Sequence, residues 1–264
     1  MTFSPYPKYK DSGVEWLGAI PEHWNVGQSR RLFALRNERA HFGDDQLTAS
    51  QKHGVIPQKL FMEIEEQKVV QVVLNPEILK HVEPGDFVIS MRSFQGGIEY
   101  SSYRGCISSA YVMLIPSPKV HGPFFKYLFK SQAYIQALQS TTNLVRDGQA
   151  LRYNNFTKVD LPLVPIEEQI AIAAFLDMAT SKFMSLANLS RLIGSFGQLN
   201  EQGEIASLLK LDAQKFYQLQ VEIDRANELL QERRTALISA AVNGQIDVRG
   251  LVEADGTLSE VVAA

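Results

Sequence analysis

The chain carries a single cysteine, Cys106, among its 264 residues, which excludes an internal disulfide and any zinc site built on several cysteines. A lone cysteine of this kind reads as a small buried hydrophobe. Long apolar runs are also missing: none approaches the roughly 18 residues of a membrane span. The opening stretch, Met1 to Lys10, lacks the apolar centre of a secretion signal. The expectation is a cytoplasmic, reducing setting with no membrane partner. Nor is there an excess of positive charge. Against 26 Lys and Arg stand 29 Asp and Glu, a net charge of −3, so no global signature marks a nucleic-acid binder. Residues 1–180 hold 18 charges of each sign, while residues 181–264 hold 8 basic and 11 acidic. A DNA-facing surface must therefore come from local clustering, for which a handful of placed cations suffices.

Catalytic patterns are scarce as well. There is no G-x-x-x-x-G-K-[ST] loop for ATP. Asn75-Pro76-Glu77-Ile78 is the nearest approach to the loop that holds a flipped base for methylation, and it lacks the second proline and the aromatic. Gly96-Gly97 belongs to no G-x-G-x-x-G turn. Asp44-Asp45 followed by Glu66-Gln67-Lys68 resembles a metal-dependent nuclease only loosely, and a solvated loop and strand edge account for it equally well. The histidines His23, His41, His53, His81 and His121 are scattered without ligand spacing. The reading is of a chain that is not an enzyme, with no metal and no cofactor.

Amphipathic order is what the chain does have. The first 25 residues are rich in turn formers and aromatics and read as an irregular segment pinned by Trp16 and Trp24. A short helix is expected over Ser29 to Arg39 with Leu32, Phe33 and Leu35 inward. The middle reads mainly as strands: Val69 to Leu74, Phe87 to Ser90 launched by the turn Pro84-Gly85-Asp86, and Tyr111 to Ile115. Pro123 to Leu138 has the spacing of one helix. Another begins at Pro165, with Glu167 and Glu168 complementing its dipole. It is expected to run through Phe183 and Leu186 and to falter at Gly194, Gly197 and Gly203. The last helix is expected over Asp212 to Asn243, closed by Gly244. Along it Leu219, Ile223, Ala226, Leu230, Leu237 and Ala240 recur at alternating spacings of four and three, broken only by Arg233. That is a heptad seam, and a seam requires a partner helix.

Two segments suggest nucleic-acid contact. Ser90 to Gly97 leaves a strand carrying Arg92, Ser93 and Gln95; Arg and Gln read guanine and adenine edges, and glycines let the backbone come close. A hairpin loop with incidental polarity is the alternative. Thr141 to Gln149, with Asn143, Arg146 and Gln149, continues into Arg152-Tyr153-Asn154-Asn155 and is rich in side chains that bond phosphates and bases. Its alternative is a turn capped by Asn and Asp. Lys126 and Lys130, one helical turn apart, read as a solvated face or a phosphate clamp.

Several blocks in order resemble a known family, the specificity subunits of type I restriction–modification systems. They are Asp11 to Gly18 with Ile20 to Trp24; Gly85 to Ile89 with Ile107 to Tyr111; Leu161 to Gln169 leading to Ala173 to Asp177; and Glu232 to Arg249. The resemblance implies an α+β fold: a globular target recognition domain with a curled, mainly antiparallel sheet and flanking helices, followed by a long coiled-coil-type helical region. The implied bounds are 1–165 for the recognition domain, 166–248 for the helical spacer and dimerisation region, and 249–264 for a C-terminal tail. The partners it implies are double-stranded DNA, the methyltransferase (M) subunit and, through the assembled complex, the restriction (R) subunit. Catalysis then resides in those partners.

Family members usually carry two recognition domains whose long helices pair antiparallel as a ruler. Here one domain and one such helix are present, and roughly 30 additional residues, about 181–211, separate the Phe175-Leu176-Asp177 block from the last helix. The expectation is a half-length subunit that homodimerises, with Leu219, Ile223, Ala226, Leu230 and Leu237 carrying the helix pairing. The alternative is a non-catalytic interaction or regulatory protein that binds M or other specificity chains without reading DNA. If the seam holds the dimer, Leu230→Asp yields monomer at micromolar concentration in multi-angle light scattering; an intact dimer removes Leu230 from the interface.

Overall fold

The computed structural model of the chain describes residues 4–66, 78–142, 151–181 and 209–249; within the last helix it describes the side chains from 221 onward, except that of residue 223. The expected strand Val69 to Leu74 and the features at Phe183, Leu186 and the three glycines lie outside the described residues.

The first segment is a hairpin of β1 (Tyr9–Asp11) and β2 (Ala19–Pro21), followed by β3 (Asn25–Gln28), a turn of helix α1 (Ser29–Leu32) and β4 (Phe33–Arg36). The middle holds the hairpin β5 (Leu47–Ser50) and β6 (Gly54–Pro57), then α2 (Gln58–Glu65), β7 (Lys80–Val82) and β8 (Phe87–Ile89). After these come α3 (Ser93–Gly96), β9 (Glu99–Tyr100), β10 (Gly105–Ile107) and β11 (Val112–Pro116). Then follow α4 (Gly122–Leu128), α5 (Gln132–Ser140), α6 (Tyr153–Phe156), β12 (Asp160–Leu163), α7 (166–181) and α8 (Leu209–Val242).

All strand pairings between these elements are antiparallel. The largest sheet has the order β4-β11-β8-β9. Around it, the β7–β10 and β5–β6 ribbons are stitched on by single bridges, Arg39 to Lys80, Gln46 to Cys106 and Val55 to Ser101. The result is a curled surface with two cores. Side chains alternate across a strand. On β8, Phe87 and Ile89 therefore enter the main core while Val88 faces a smaller one with Leu47, Val55, Val82, Ile107 and Met113. Adjacent residues of β11 divide likewise, Met113 to the small core and Leu114 to the main one. Cys106 is buried as expected, and burial, with Asp44 and Asp45 nearby, pushes its thiol up to about 11.

Two expectations are corrected. Ser29 to Arg39 is helical for one turn only and then joins the sheet as β4, because Phe33 to Arg36 register against Pro116 to Met113; Leu35 consequently points outward. The single helix expected from Pro123 to Leu138 is two. Ser131 leaves the helical conformation and its Oγ accepts from the Tyr134 N–H, capping α5, so that Phe129 and Tyr134 turn into one aromatic cluster.

The end of α8 is locked to the body. Gly244 adopts φ +70°; its N–H donates to the Ala241 carbonyl and the Gln245 N–H to the Ala240 carbonyl, a Schellman closure. A Cβ at Gly244 would lie 2.6 Å from Pro21 Cδ and 3.0 Å from the Trp24 ring. Ala241, Val242 and Val248 are fully buried in the main core, and Leu237 and Ile238 pack on it. Farther up the helix, Leu230 is half-buried, Ala226 is exposed, and Val221 and Leu229 are about half exposed. The remaining seam residues, Leu219 and Ile223, have side chains outside the described set. Among the described residues, no helix is long and apolar enough to cross a membrane.

Phe33 is the hub of the main core, with ring centroids 5.2–5.6 Å from Phe87, Phe125, Phe129 and Phe156. Phe33→Ala is expected to cost about 3–5 kcal/mol of stability, read from urea denaturation.

Candidate nucleic-acid interface

Two segments singled out by residue type meet at one place, the C-terminal end of α5. Gln139 Nε2 donates to the Phe94 carbonyl of α3 (2.6 Å). Just beyond, the Thr141 carbonyl accepts from Asn155 Nδ2 of α6 (3.0 Å). Asn155 Oδ1 in turn accepts from the Arg152 N–H, closing the entry to α6. Side-chain-to-backbone bonds therefore clamp both segments onto the same helix end, where Thr142 Oγ1 also donates to the Gln139 carbonyl. Asn143, Arg146 and Gln149 lie outside the described residues.

On this edge Met91, Arg92, Gln95 and Arg152 are exposed. Ser93 is not: it is buried, and its Oγ accepts from the Ser90 N–H (2.9 Å), so it shapes the turn from within. The adjoining glycines also serve packing. A Cβ at Gly97 would sit 2.1 Å from the Phe129 carbonyl oxygen, and one at Gly96 2.4 Å from the Gln51 side chain. At Gly97 (φ +81°) the neighbour is backbone, whereas at Gly96 it is a movable side chain.

Beneath the turn a half-buried lysine meets a buried carboxyl, a pairing that residue spacing did not reveal. Lys130 Nζ donates to the Gly96 carbonyl (2.8 Å) and reaches Glu99 Oε1 (2.5 Å). Lys130 is thus a strut under α3 and not half of a phosphate clamp, while Lys126 lies 5.6 Å over the Tyr127 ring. Burial dominates at Glu99 and pushes its carboxyl up to about 7, against the opposing pull of Lys130; Oε2 has no partner among the described residues.

At the other side of the main core, Glu168 and Gln169 hold the start of α7. Glu168 is buried and accepts from the Tyr6 hydroxyl and from His23 (2.8 Å), beyond any general complement to the helix dipole. Gln169 Nε2 donates to the Lys119 and Val164 carbonyls and Oε1 accepts from the His121 N–H. Arg249, held by Asp247, covers the Tyr6 ring at 4.9 Å. The Leu161 to Gln169 block and the end of the Glu232 to Arg249 block are thereby parts of one latch joining both ends of the described chain.

The class these features define is a mixed helix and antiparallel-sheet body with one polar, arginine-bearing edge and a long helix seated on it by its last turns. Among solved structures the chain is similar to the HsdS subunit from Thermoanaerobacter tengcongensis, at 16% identity and TM-score 0.38 over 90% of this chain and 48% of that one. It is likewise similar to a chain from a structure on complex assembly and conformational transition of the type I R-M system, at 15% identity and TM-score 0.38 over 86% of this chain and 47% of that one. The chain spans about half the length of each. No protein-family model matches it, and no curated protein does.

The Glu99 environment fixes a pH response. Between the ordinary carboxylate range and about pH 7 the folded carboxyl keeps a proton that the unfolded chain has released. The associated stability is full at low pH and is lost as pH rises through 7. Glu99→Gln is expected to flatten the stability–pH curve between pH 5 and 8 by about 1–3 kcal/mol in chemical denaturation.

Proposed function

We propose that this chain is the DNA-recognition and scaffolding subunit of a type I restriction–modification complex. It reads one half of a bipartite site, docks the methyltransferase subunit, and assembles as a homodimer through α8. The observation that carries the reading is the edge at the end of α5. It gathers Arg92, Gln95 and Arg152, all three exposed to solvent on turns that are bonded to one helix end. Guanidinium and amide groups are the readers and clamps of duplex DNA, and a rigidly mounted edge lets them act without a large ordering cost.

The domain bounds 1–165, 166–248 and 249–264 belong to this proposal. So does the division of labour in which the M subunit methylates, the R subunit joins through the assembled complex, and this chain needs no cofactor. Helix α8, at 34 residues, extends about 50 Å, more than one turn of B-DNA. A two-fold pair of such helices places two recognition edges on a palindromic, split target.

Fluorescence anisotropy with purified chain, M subunit and a target duplex, repeated over a salt series, tests the reading. The target comes from sequencing methylated sites in cells that carry both proteins, where a symmetric split motif is expected. Arg92→Ala and Arg152→Ala are each expected to lower affinity about tenfold and to reduce the salt slope by about 0.9 for every phosphate no longer neutralised. Binding to M without binding to any duplex would turn the assignment into that of an interaction protein on the same fold.

A further inference from the structure

Far from the arginine edge in sequence, the loop between β4 and β5 folds back on β7. The Ala40 N–H donates to the Leu79 carbonyl and the His81 N–H to the Glu38 carbonyl. The loop closes in a tight turn in which Asp44 Oδ2 accepts from the His41 N–H (2.7 Å) and Gly43 takes φ +85°. This closure stacks the His41 and His81 rings at 4.0 Å, only 18° from parallel. His81 is fully buried. Its Nδ1 meets buried Asp44 at 2.7 Å and its Nε2 meets Glu83 at 2.8 Å. His41 Nε2 meets Glu38 Oε1 at 2.8 Å.

The cluster is rich in negative charge. Among the described residues, Glu38, Asp44, Glu83 and Asp86 pair only with Arg36 and Arg104 besides the histidines, leaving two carboxylates uncompensated when the imidazoles are neutral. Arg36 is committed to Asp86 by two bonds, at 2.7 and 3.1 Å. Arg104 is mostly exposed and stands 3.7 Å from Asp44 and Glu83 and 3.3 Å from His41 Nδ1.

We propose that Glu38, His41 and His81, with Glu83 as a fourth donor, bind one divalent transition-metal ion of the zinc type. One donor atom from each of the first three lies within 4.8 Å of the others. In a tetrahedral zinc site with bonds of about 2.0–2.1 Å, neighbouring donors stand about 3.3 Å apart. The His41–Glu38 pair, at 2.8 Å, opens slightly to admit the ion, and Glu83, 2.8 Å from His81 Nε2 but outside that set of three, swings in as the fourth donor. Asp44 fixes the side of His81: a buried carboxylate on Nδ1 leaves Nε2 to face the metal, the orienting arrangement common to metal-bound histidines. The parts that must move are the exposed ones. The stacked rings hold their lone pairs in near-parallel planes, so His41, 42% exposed, turns about its Cβ–Cγ bond; Glu38, 41% exposed, offers Oε1 while Oε2 stays on Arg36 Nη1 (2.9 Å), and Arg104, 59% exposed, moves aside. Two imidazoles and two carboxylates favour zinc, nickel or copper over magnesium or calcium, which take all-oxygen sites. The bound ion staples the β4–β5 loop to β7 and so stabilises the fold on that flank. The proposal stands apart from the DNA-binding reading.

The test uses the full chain stripped with EDTA, then titrated with Zn2+ by calorimetry and with Co2+ by visible absorption. One equivalent bound at micromolar or tighter Kd, tetrahedral Co2+ bands and a higher Tm with zinc are expected. Asp44→Asn is expected to weaken zinc binding about 10–100-fold. His41→Ala, at an exposed position, and Glu38→Gln, at a half-buried one, are expected to abolish the zinc-dependent rise in Tm while keeping the wild-type circular dichroism. His53→Ala, at a separate histidine paired with Glu65, is expected to bind zinc as wild type does. Absence of stoichiometric zinc binding overturns the proposal, as does zinc affinity unchanged in both His41→Ala and Glu38→Gln.

Discussion

A long helix can act as an arm only if one end is immobile, and here that end is made by the close approach of Gly244 to Trp24. The left-handed turn at Gly244 brings backbone against Pro21 and an indole where no side chain fits. Reversal of the chain there carries Val248 into the main core beside Ala241 and Val242. The Asp247 N–H then donates to the Ser4 carbonyl, and Arg249 lies on Tyr6, which donates to Glu168 at the head of α7. The N-terminal segment, the start of α7 and the end of α8 are thus mutually dependent. Removing any one exposes apolar or polar groups of the other two, and this is why the turn-rich opening segment is ordered at all.

The arginine-bearing edge at the end of α5 follows a different logic. Its elements are very short, α3 and α6 having four residues each, and such turns do not hold themselves in water. They are held by side chains that satisfy backbone carbonyls: Gln139 at Phe94, Asn155 at Thr141, Lys130 at Gly96. Because these bonds use buried or half-buried groups, Arg92, Gln95 and Arg152 are left facing solvent. The contact of Lys130 with buried Glu99 shows the cost of the arrangement, since the carboxyl is desolvated and one oxygen is left without a partner among the described residues. The zinc proposal rests on a contrasting site, one with more donors than its own cations neutralise.

Features governed by local periodicity were legible in residue order: the turn at Gly85, strands β8 and β11, the start of α7 beyond Pro165, and α8 with its Gly244 stop. Misreadings arose where a distant partner overrode local pattern. Phe33 to Arg36 has helical spacing, yet pairing with β11 makes it a strand. Pro123 to Leu138 has the period of one helix, yet Ser131 caps a second one so that the aromatic cluster can close. Residue type alone points to Arg92, Gln95 and Arg152, whereas Ser93 looks equivalent and is turned inward.

By itself, the order of amino acids determined which segments are amphipathic, which turns need glycine, that the chain lacks the cysteines and motifs of common catalytic sites, and the succession of blocks that resembles specificity subunits. Only the tertiary structure decided that the α3 turn and α6 share one edge, that Lys130 belongs to Glu99, and that His41 and His81 stack within a carboxylate-rich cluster. The physical reason is range. Propensity and periodicity act over a few residues, while desolvation, ion pairing and metal-ligand geometry depend on groups that meet only after the sheet has curled and the two ends of the described chain have latched together.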